Sequence, residues 1–444
     1  MTSNSWMEIS LGEIAAEVTV GHVGPMASEY VDEGIPFLRS QNVERLRINL
    51  ADVKFITPEF HTKLKKSALS PGDVVIVRTG KPGACAVMPE SIPVSNCSDL
   101  VIVRPGPNLD SRFLAYYINS KAAHQVSAYQ VGAVQQHFNV ESARNLELKL
   151  PNLSEQRAIT HILRTLDNKI ELNRRMNETL EAMARAIFKS WFVDFDPVKR
   201  NAEVRRKKTE STAKSPSVHP SAFTLRPSIA ALFPDSFQDS PLGKIPKGWD
   251  VKGLDEVADF LNGLALQKFP PDGEDSLPVI KIAQLRAGNT KGADRAGSSL
   301  PPEYIVEDGD VLFSWSGSLE VVVWCGGRGA LNQHLFKVTS QAYPKWFYYH
   351  WIREHLPQFQ AIAAGKATTM GHIQRHHLSE AMVVAPNADL LSTADRLIGP
   401  LFQSVIANEI QSRTLAAIRD TLLPKLMSGE LRVKAAGASI TGPR

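Results

Sequence analysis

Residues 153–188 read LSEQRAITHILRTLDNKIELNRRMNETLEAMARAIF, and their spacing decides the architecture. Ile159, Leu163, Leu166, Ile170, Asn173, Asn177, Leu180, Ala184 and Ile187 are separated by alternating steps of four and three, a heptad seam. Ser154 stands as the N-cap, with Glu155 and Gln156 favouring the first turn. No glycine or proline interrupts the run before Pro197, so it reads as one helix of roughly 35 residues, about 50 Å long.

The same seam returns 235 residues later as Ala394, Ile398, Leu401, Val405, Asn408, Ser412, Leu415, Arg419 and Leu422. Asn173 falls on Asn408, and Asn177 on Ser412. Polar residues inside an apolar seam cost stability and fix register, the role expected of Asn173 and Asn408; simple tolerance near a splayed middle is the alternative. Pro400 lacks a donor and is expected to kink the second helix or mark its first turn. The blocks before the helices also repeat. Trp6-x4-Leu11-x-Glu13-Ile14-Ala15 returns as Trp249-x4-Leu254-x-Glu256-Val257-Ala258, and Gly72-Asp73-Val74 with Gly80 returns as Gly309-Asp310-Val311 with Gly317. His137 precedes Pro151 by the interval at which His372 precedes Pro386. Two such halves can fold about a pseudo-twofold axis and meet a twofold object, such as a duplex, at two places.

At 444 residues the chain exceeds one core, and 43 % hydrophobic residues suffice for two or three. The runs Val74–Val77 and Leu100–Val103 read as buried strands, and Ser111 to Gln130 as a helix, which makes the first block a mixed α/β globule. Lys199, Arg200, Arg205, Arg206, Lys207 and Lys208 open a segment rich in serine, proline and threonine, read as an exposed linker with short order around Pro227–Phe237. Beyond Gly429 the chain is small and polar, a frayed tail. The formal charge of +4 does not by itself announce a nucleic-acid protein, although a balanced total can hide a basic patch. Three cysteines, none in a CxxC pair, argue against a disulfide scaffold, and no apolar stretch reaches bilayer length. With no signal-peptide pattern at the N-terminus, a soluble cytoplasmic protein with no membrane association is expected.

Catalytic chemistry is hard to find. No phosphate-binding G-x-x-x-x-G-K-[ST] loop, no dinucleotide G-x-G-x-x-G, no G-x-S-x-G elbow and no Asn/Asp-Pro-Pro-Tyr/Phe methyltransferase motif occurs. His372, His376 and His377 sit near no cysteine or acidic cluster at ligand spacing, and Asp308-Gly309-Asp310 reads as a turn leading into a strand, so no metal is expected. The chain reads as a scaffold or reader. A coiled-coil adaptor that never meets DNA and a stand-alone nuclease are the competing readings, the latter opposed by the missing acidic–lysine constellation.

Five stretches supply a resemblance. Leu153-Ser154-Glu155-Gln156-Arg157-Ala158-Ile159, Leu166-Asp167-Asn168-Lys169-Ile170-Glu171-Leu172-Asn173 and Phe188-Lys189-Ser190-Trp191-Phe192-Val193-Asp194-Phe195-Asp196-Pro197 resemble the central conserved region of specificity subunits of type I restriction–modification enzymes. Arg419 to Leu431, RDTLLPKLMSGEL, is similar to that family's distal conserved region, and Leu242-Gly243-x-Ile245-Pro246-x-Gly248-Trp249 to the start of its second target-recognition domain. The resemblance implies an α+β chain: two mixed α/β target-recognition domains separated by an antiparallel two-helix coiled coil. The expected divisions are 1–152 (target-recognition domain 1), 153–196 (central helix), 197–245 (linker), 246–387 (target-recognition domain 2), 388–430 (distal helix) and 431–444 (tail). It further implies a non-catalytic chain that binds a split double-stranded DNA target and scaffolds two methyltransferase and two restriction–translocase subunits. No cofactor is expected on the chain itself; S-adenosylmethionine, ATP and magnesium belong to the partners. A rod of about 50 Å suits readers in successive major grooves, one turn of about 34–36 Å apart.

Base readout needs polar side chains on loops that reach a groove. Three recurring loop positions supply candidates: Arg39, Gln41 and Asn42, matched by Lys281 and Gln284; Arg78, Thr79 and Lys81, matched by Trp315 and Ser316; and Gln135, Gln136 and His137, matched by Thr368, Thr369 and His372 with Lys366 nearby. Glycines 80, 132, 317 and 365 would let backbone approach phosphates. Ordinary solvated turns are the competing reading. The aromatic group Phe188, Trp191, Phe192 and Phe195 reads either as a local core or as a docking surface for a methyltransferase subunit.

Overall fold

The computed structural model describes residues 6–80, 82–120, 138–210, 225–271, 275–365, 371–433 and 440–441. The chain divides into two compact units, 1–169 with 415–444, and 170–414.

In the first unit, Met7–Ser10 pairs antiparallel with Glu147–Leu150. A four-stranded antiparallel sheet runs Cys85–Val87, Val74–Val77, Leu100–Pro105, Ala15–Val20. A five-stranded sheet runs Tyr30–Val31, Lys54–Ile56, Ile35–Leu38, Ser95–Cys97, Ala68–Leu69, its pair Ile35–Leu38 and Ser95–Cys97 being parallel. All four residues of Val74–Val77 are buried, Val74 and Ile76 in one core and Val75 and Val77 in another. That two-sided burial explains why the sequence shows an unbroken β-branched run instead of an alternation. Helix Ser111–Ser120 closes the larger core with Phe113, Leu114, Tyr116 and Tyr117; the rest of the expected helix, 121–130, lies outside the described residues.

The second unit rebuilds this plan. Asp250–Gly253 pairs with Met382–Ala385. A four-stranded sheet runs Val321–Val323, Val311–Ser314, Leu335–Thr339, Asp259–Asn262. A second sheet runs Arg295–Gly297, Ser276–Ile280, Gly329–Leu331, Ile305–Val306, again with one parallel pair, Ser276–Ile280 beside Gly329–Leu331. The quoted repeats occupy the same places in both plans. Glu13 accepts from the Ser10 N–H at 3.0 Å, as Glu256 accepts from that of Gly253 at 2.6 Å. The Gly72 N–H bonds Met88 O and Asp73 takes the Ser70 N–H; the Gly309 N–H bonds Trp324 O and Asp310 takes the Glu307 N–H. The Gly-Asp pair is therefore a turn device in both halves.

The long helices run Leu153–Phe188 and Ala388–Ser428. Within the first unit Ile159 and Leu163 are buried in one core with Leu426 and Met427, and the Arg419 guanidinium donates to Asp167 at 2.8 Å. Within the second, Asn173 donates to Gln411 Oε1 (2.9 Å) and Ser412 Oγ (3.1 Å), while Asn177, a turn later, donates to Glu409 Oε1 (2.7 Å). Numbers rise on one helix as they fall on the other, so the pairing is antiparallel. The half-buried Asn408 donates to Asn177 Oδ1 at 2.9 Å, so polar groups of both helices meet beside the buried Asn173 and Asn177.

Several expectations are corrected. The first long helix is capped by Asn152, whose Oδ1 accepts the Glu155 N–H at 2.9 Å; Ser154 lies inside it. Asn387, likewise following a proline, caps the second by accepting the Leu390 N–H at 2.9 Å. Pro400 is not in the first turn: the helix runs through it, with Pro400 exposed where the carbonyl it displaces can meet water. The basic run expected in a linker is helical, Asp196–Glu210, and Asn201 ties that helix to Ala230 O (2.9 Å) and Phe233 O (3.0 Å). Phe237–Ser240 and Gly243–Pro246 form a hairpin; residues 211–224 lie outside the described set. Arg432–Val433, expected in a frayed tail, forms a strand with Ile440–Thr441, and Arg432 grips the buried Glu155 at 2.7 and 2.8 Å. The aromatic group is core: Phe188, Trp191 and Phe192 are buried against Phe347, Trp346, Trp351, Phe233 and Trp249. No helix of the described residues is long and apolar enough to cross a membrane.

Candidate nucleic-acid interface

In each unit backbone hydrogen bonds tie the start of the first candidate loop to the chain that follows the neighbouring parallel strand, and the second loop to the chain just after the third. In the first unit Ile35–Leu38 and Ser95–Cys97 run parallel, so both end at the same edge, and the Ser98 N–H donates to Leu38 O at 3.0 Å. Arg39 follows the first strand and Asp99 the second. Asp99, in the left-handed region at φ 51°, accepts from Arg78 Nη1 (2.6 Å) and Thr79 Oγ1 (3.2 Å). Arg78 also exchanges hydrogen bonds with Phe138: its Nε donates to Phe138 O, and the Phe138 N–H returns to Arg78 O, both at 3.3 Å. Asp99 thus holds the second loop, and Phe138, just after the third, holds Arg78 in turn.

The second unit makes the same joints with different side chains. Ser276–Ile280 and Gly329–Leu331 end together, and the Asn332 N–H donates to Ile280 O at 3.3 Å, beside Lys281. The Ile373 N–H donates to Trp315 O at 3.0 Å, as Phe138 does to Arg78. Trp315 Nε1 donates to Asn262 Oδ1 (2.8 Å) and Gln333 O (3.2 Å), and Ser316 Oγ lies 2.9 Å from His334 Nδ1. Ser316 and His372 form an antiparallel bridge, with the Trp315 and His372 rings edge to face at 6.4 Å. Gly80 and Gly317 hold φ of 81° and 66°, which lets both turns bend back on themselves.

The first loop position divides its candidates. The Arg39 N–H donates to Asn42 Oδ1 at 3.0 Å, and Asn42 Nδ2 to Asn49 O at 3.0 Å, so the buried Asn42 spends its amide holding the loop. Gln284 has the corresponding job, accepting the Lys281 N–H at 3.3 Å. Arg39 pairs with Asp52 at 3.1 Å, and Gln41 donates to the same carboxylate at 2.6 Å. Lys281 pairs with Asp294. The hydrogen bond and charge of Arg39, with Lys54 and Gln41 adding to it, hold the Asp52 carboxyl below its usual range.

Lys81, Gln135, Gln136, His137, Lys366, Thr368 and Thr369 lie outside the described residues. Sequence reasoning missed Asp52, Asp294, Asp99, Asn262, Gln333 and His334. A signal for the first two existed: the acid follows the cation by 13 residues in both halves. Asp308, by contrast, is not in a rim; Arg413 grips it at 2.7 and 2.6 Å and holds its carboxyl below the usual range. Among the described residues, His376, His377 and Glu380 offer ligand atoms within 4.8 Å of one another, but His377 Nδ1 already accepts the Gln374 N–H at 2.9 Å. The structure therefore brings to these histidines an acid that sequence spacing had not suggested.

Residues 4–182 match the model of the type I restriction modification DNA specificity domain. The chain is 22 % identical to the type I restriction enzyme HindI specificity subunit of Haemophilus influenzae, over 96 % of this chain and all of that one. It is 24 % identical to the MjaIX specificity subunit of Methanocaldococcus jannaschii, over 74 % of this chain and 71 % of that one. A crystal structure of a type I restriction–modification S subunit from M. genitalium shares the fold, with a TM-score of 0.56 at 13 % identity, over 96 % of this chain and 97 % of that one.

Proposed function

We infer, for a chain that belongs with the specificity subunits of type I restriction–modification systems, that each of its two units reads one half of a split double-stranded DNA target. The observation that carries this reading is the pair of rims: the same backbone joints present Arg78, Thr79 and Asp99 in one unit and Trp315, Ser316 and His334 in the other. A common frame with unlike side chains suits unlike half-sites, because frame contacts position while edge-reaching side chains specify. Arg39, Gln41, Arg78, Thr79, Lys281, Trp315, Ser316 and His372 are the described residues proposed to meet DNA; Asn42 and Gln284 shape their loops.

The chain itself performs no chemistry in this reading. It holds two methyltransferase subunits that use S-adenosylmethionine on adenines and two restriction–translocase subunits that use ATP and magnesium, in the cytoplasm. Mapping adenine methylation by single-molecule sequencing, in a host carrying this chain with its methyltransferase, tests it. A motif of two unlike halves around a fixed gap is expected. A contiguous motif, or none together with no salt-dependent gel shift by the complex, favours the adaptor reading instead.

A further inference from the structure

The geometry points to Asp52 and Asp294 as positioning residues that aim one guanine-reading cation in each half-site, Arg39 in the first and Lys281 in the second. This rests on the reading of the rims as the DNA-contacting surface. Both cations follow the end of the corresponding parallel strand, Ile35–Leu38 or Ser276–Ile280. Both have their own N–H held by an amide side chain three residues on, Asn42 or Gln284. Both acids stand just before the neighbouring strand of the same sheet, Lys54–Ile56 or Arg295–Gly297, and both pairs span the same 13 residues.

Stability does not account for the recurrence. The carboxylates are 68 % and 67 % exposed, and an ion pair at such a surface contributes little to folding. Past a shared helical turn the loops diverge: in the first half Ser40–Asn42 gives way to a hairpin, Val43–Glu44 with Arg47–Ile48, while the second continues as a helix, Ile282–Ala287. What survives is a cation with an acid at its side. Arg39 directs Nη2 to both Asp52 O (2.5 Å) and Oδ2 (3.1 Å) and its Nε is buried, so Nη1 is the part of the guanidinium left to face a base. Gln41 gives its amide N–H to the same Oδ2, so its carbonyl oxygen points the other way. The Nη1 amino group of Arg39, held in one place, and the ammonium of Lys281 each carry hydrogens for the acceptors O6 and N7 of guanine.

The experiment uses the chain assembled with its methyltransferase subunits and a library of randomised duplexes, with bound species sequenced. Asp52→Asn and Asp294→Asn are compared with Arg39→Ala and Lys281→Ala. Each Asn variant is expected to lose about five- to a hundredfold discrimination at one guanine position, in one half-site only, the span of one good base contact. The matching Ala variant loses discrimination at the same position. The slope of log Kd against log salt stays as in the parent, because no phosphate contact is lost. Melting temperatures are unchanged, since both acids are exposed. Unaltered base preference, or a shift in affinity shared by all sequences, overturns the proposal. If the Ala variants relax a guanine and the Asn variants do not, only the positioning role fails; if the parent complex selects no split target, the reading of the rims fails.

Discussion

Arg78 illustrates how much one residue's environment adds to its identity. Its side chain is 18 % exposed, and its guanidinium is held by Asp99 and by the carbonyl of Phe138. Arg78→Ala is expected to cost about 1–3 kcal/mol of binding and relax a single base position. A loss spread evenly over all sequences, read by competition against variant duplexes, would instead make Arg78 a phosphate contact. His350 is a residue of another kind. It stacks on Phe188 with centroids 5.0 Å apart, and its Nε2 has no hydrogen-bond partner among the described residues. Burial, with Arg353 and Arg185 nearby, pushes its pKa down to about 3 from an ordinary 6.5. Acid therefore protonates the unfolded chain before the folded one: stability is full above about pH 6.5 and falls as pH drops toward 3. At pH 5 this group alone removes about 2 kcal/mol. His355, lowered chiefly by burial, adds in the same direction. Denaturant melts across this range should steepen with acidity less in His350→Phe than in the parent; identical slopes would assign the effect elsewhere.

At the scale of elements, helix ends and seams show where local signals stop. Asn152 and Ser154 stand two residues apart at the start of the helix, and both are good caps. The choice fell to Asn152 because the strand Glu147–Leu150 ends just before it and Gln156 turns inward, its Nε2 donating to Pro151 O at 3.0 Å. The seam was more legible. Ile159, Leu163, Asn173, Asn177 and Ala184 are all buried, and the repeated asparagines meet in one layer. The tail was not legible, because its anchors are distant in the chain: Arg432 grips Glu155, whose side chain is 7 % exposed, and lies over the Trp6 ring at 5.8 Å, and Val433 is buried in the first unit's core. Arg432→Ala would leave that carboxylate buried without its cation, a change that costs about 3 kcal/mol. Urea unfolding of the full chain measures it, and Glu155→Gln combined with Arg432→Ala should recover part of the loss. A single variant as stable as the parent would mean that water reaches Glu155.

For the whole molecule, the proposed function makes the helix pair the element that sets the gap between half-sites. At about 1.5 Å per residue, a four-residue insertion into each long helix, near Asn173 and near Asn408, lengthens both by about one turn. Methylation mapping should then return the same two half-sites with a wider gap. An unaltered gap would detach spacing from these helices, and altered half-sites would mean that the rims had been disturbed as well.

Periodicity and self-similarity belong to the sequence, and they determined the two halves, the buried strands and the seam of each long helix; the antiparallel pairing came from the resemblance. Each is a matter of which residues recur at which interval, and burial on one face forces that recurrence. The rims were decided elsewhere. Asn42 and Arg39 are near neighbours of like polarity, yet one is a buried brace and the other is aimed by an acid from a different strand. Asp99 and His334 stand at the same joint with opposite chemistry. Which polar group faces the loop and which faces outward depends on partners distant in the chain, and only the folded sheets bring those partners within hydrogen-bonding reach.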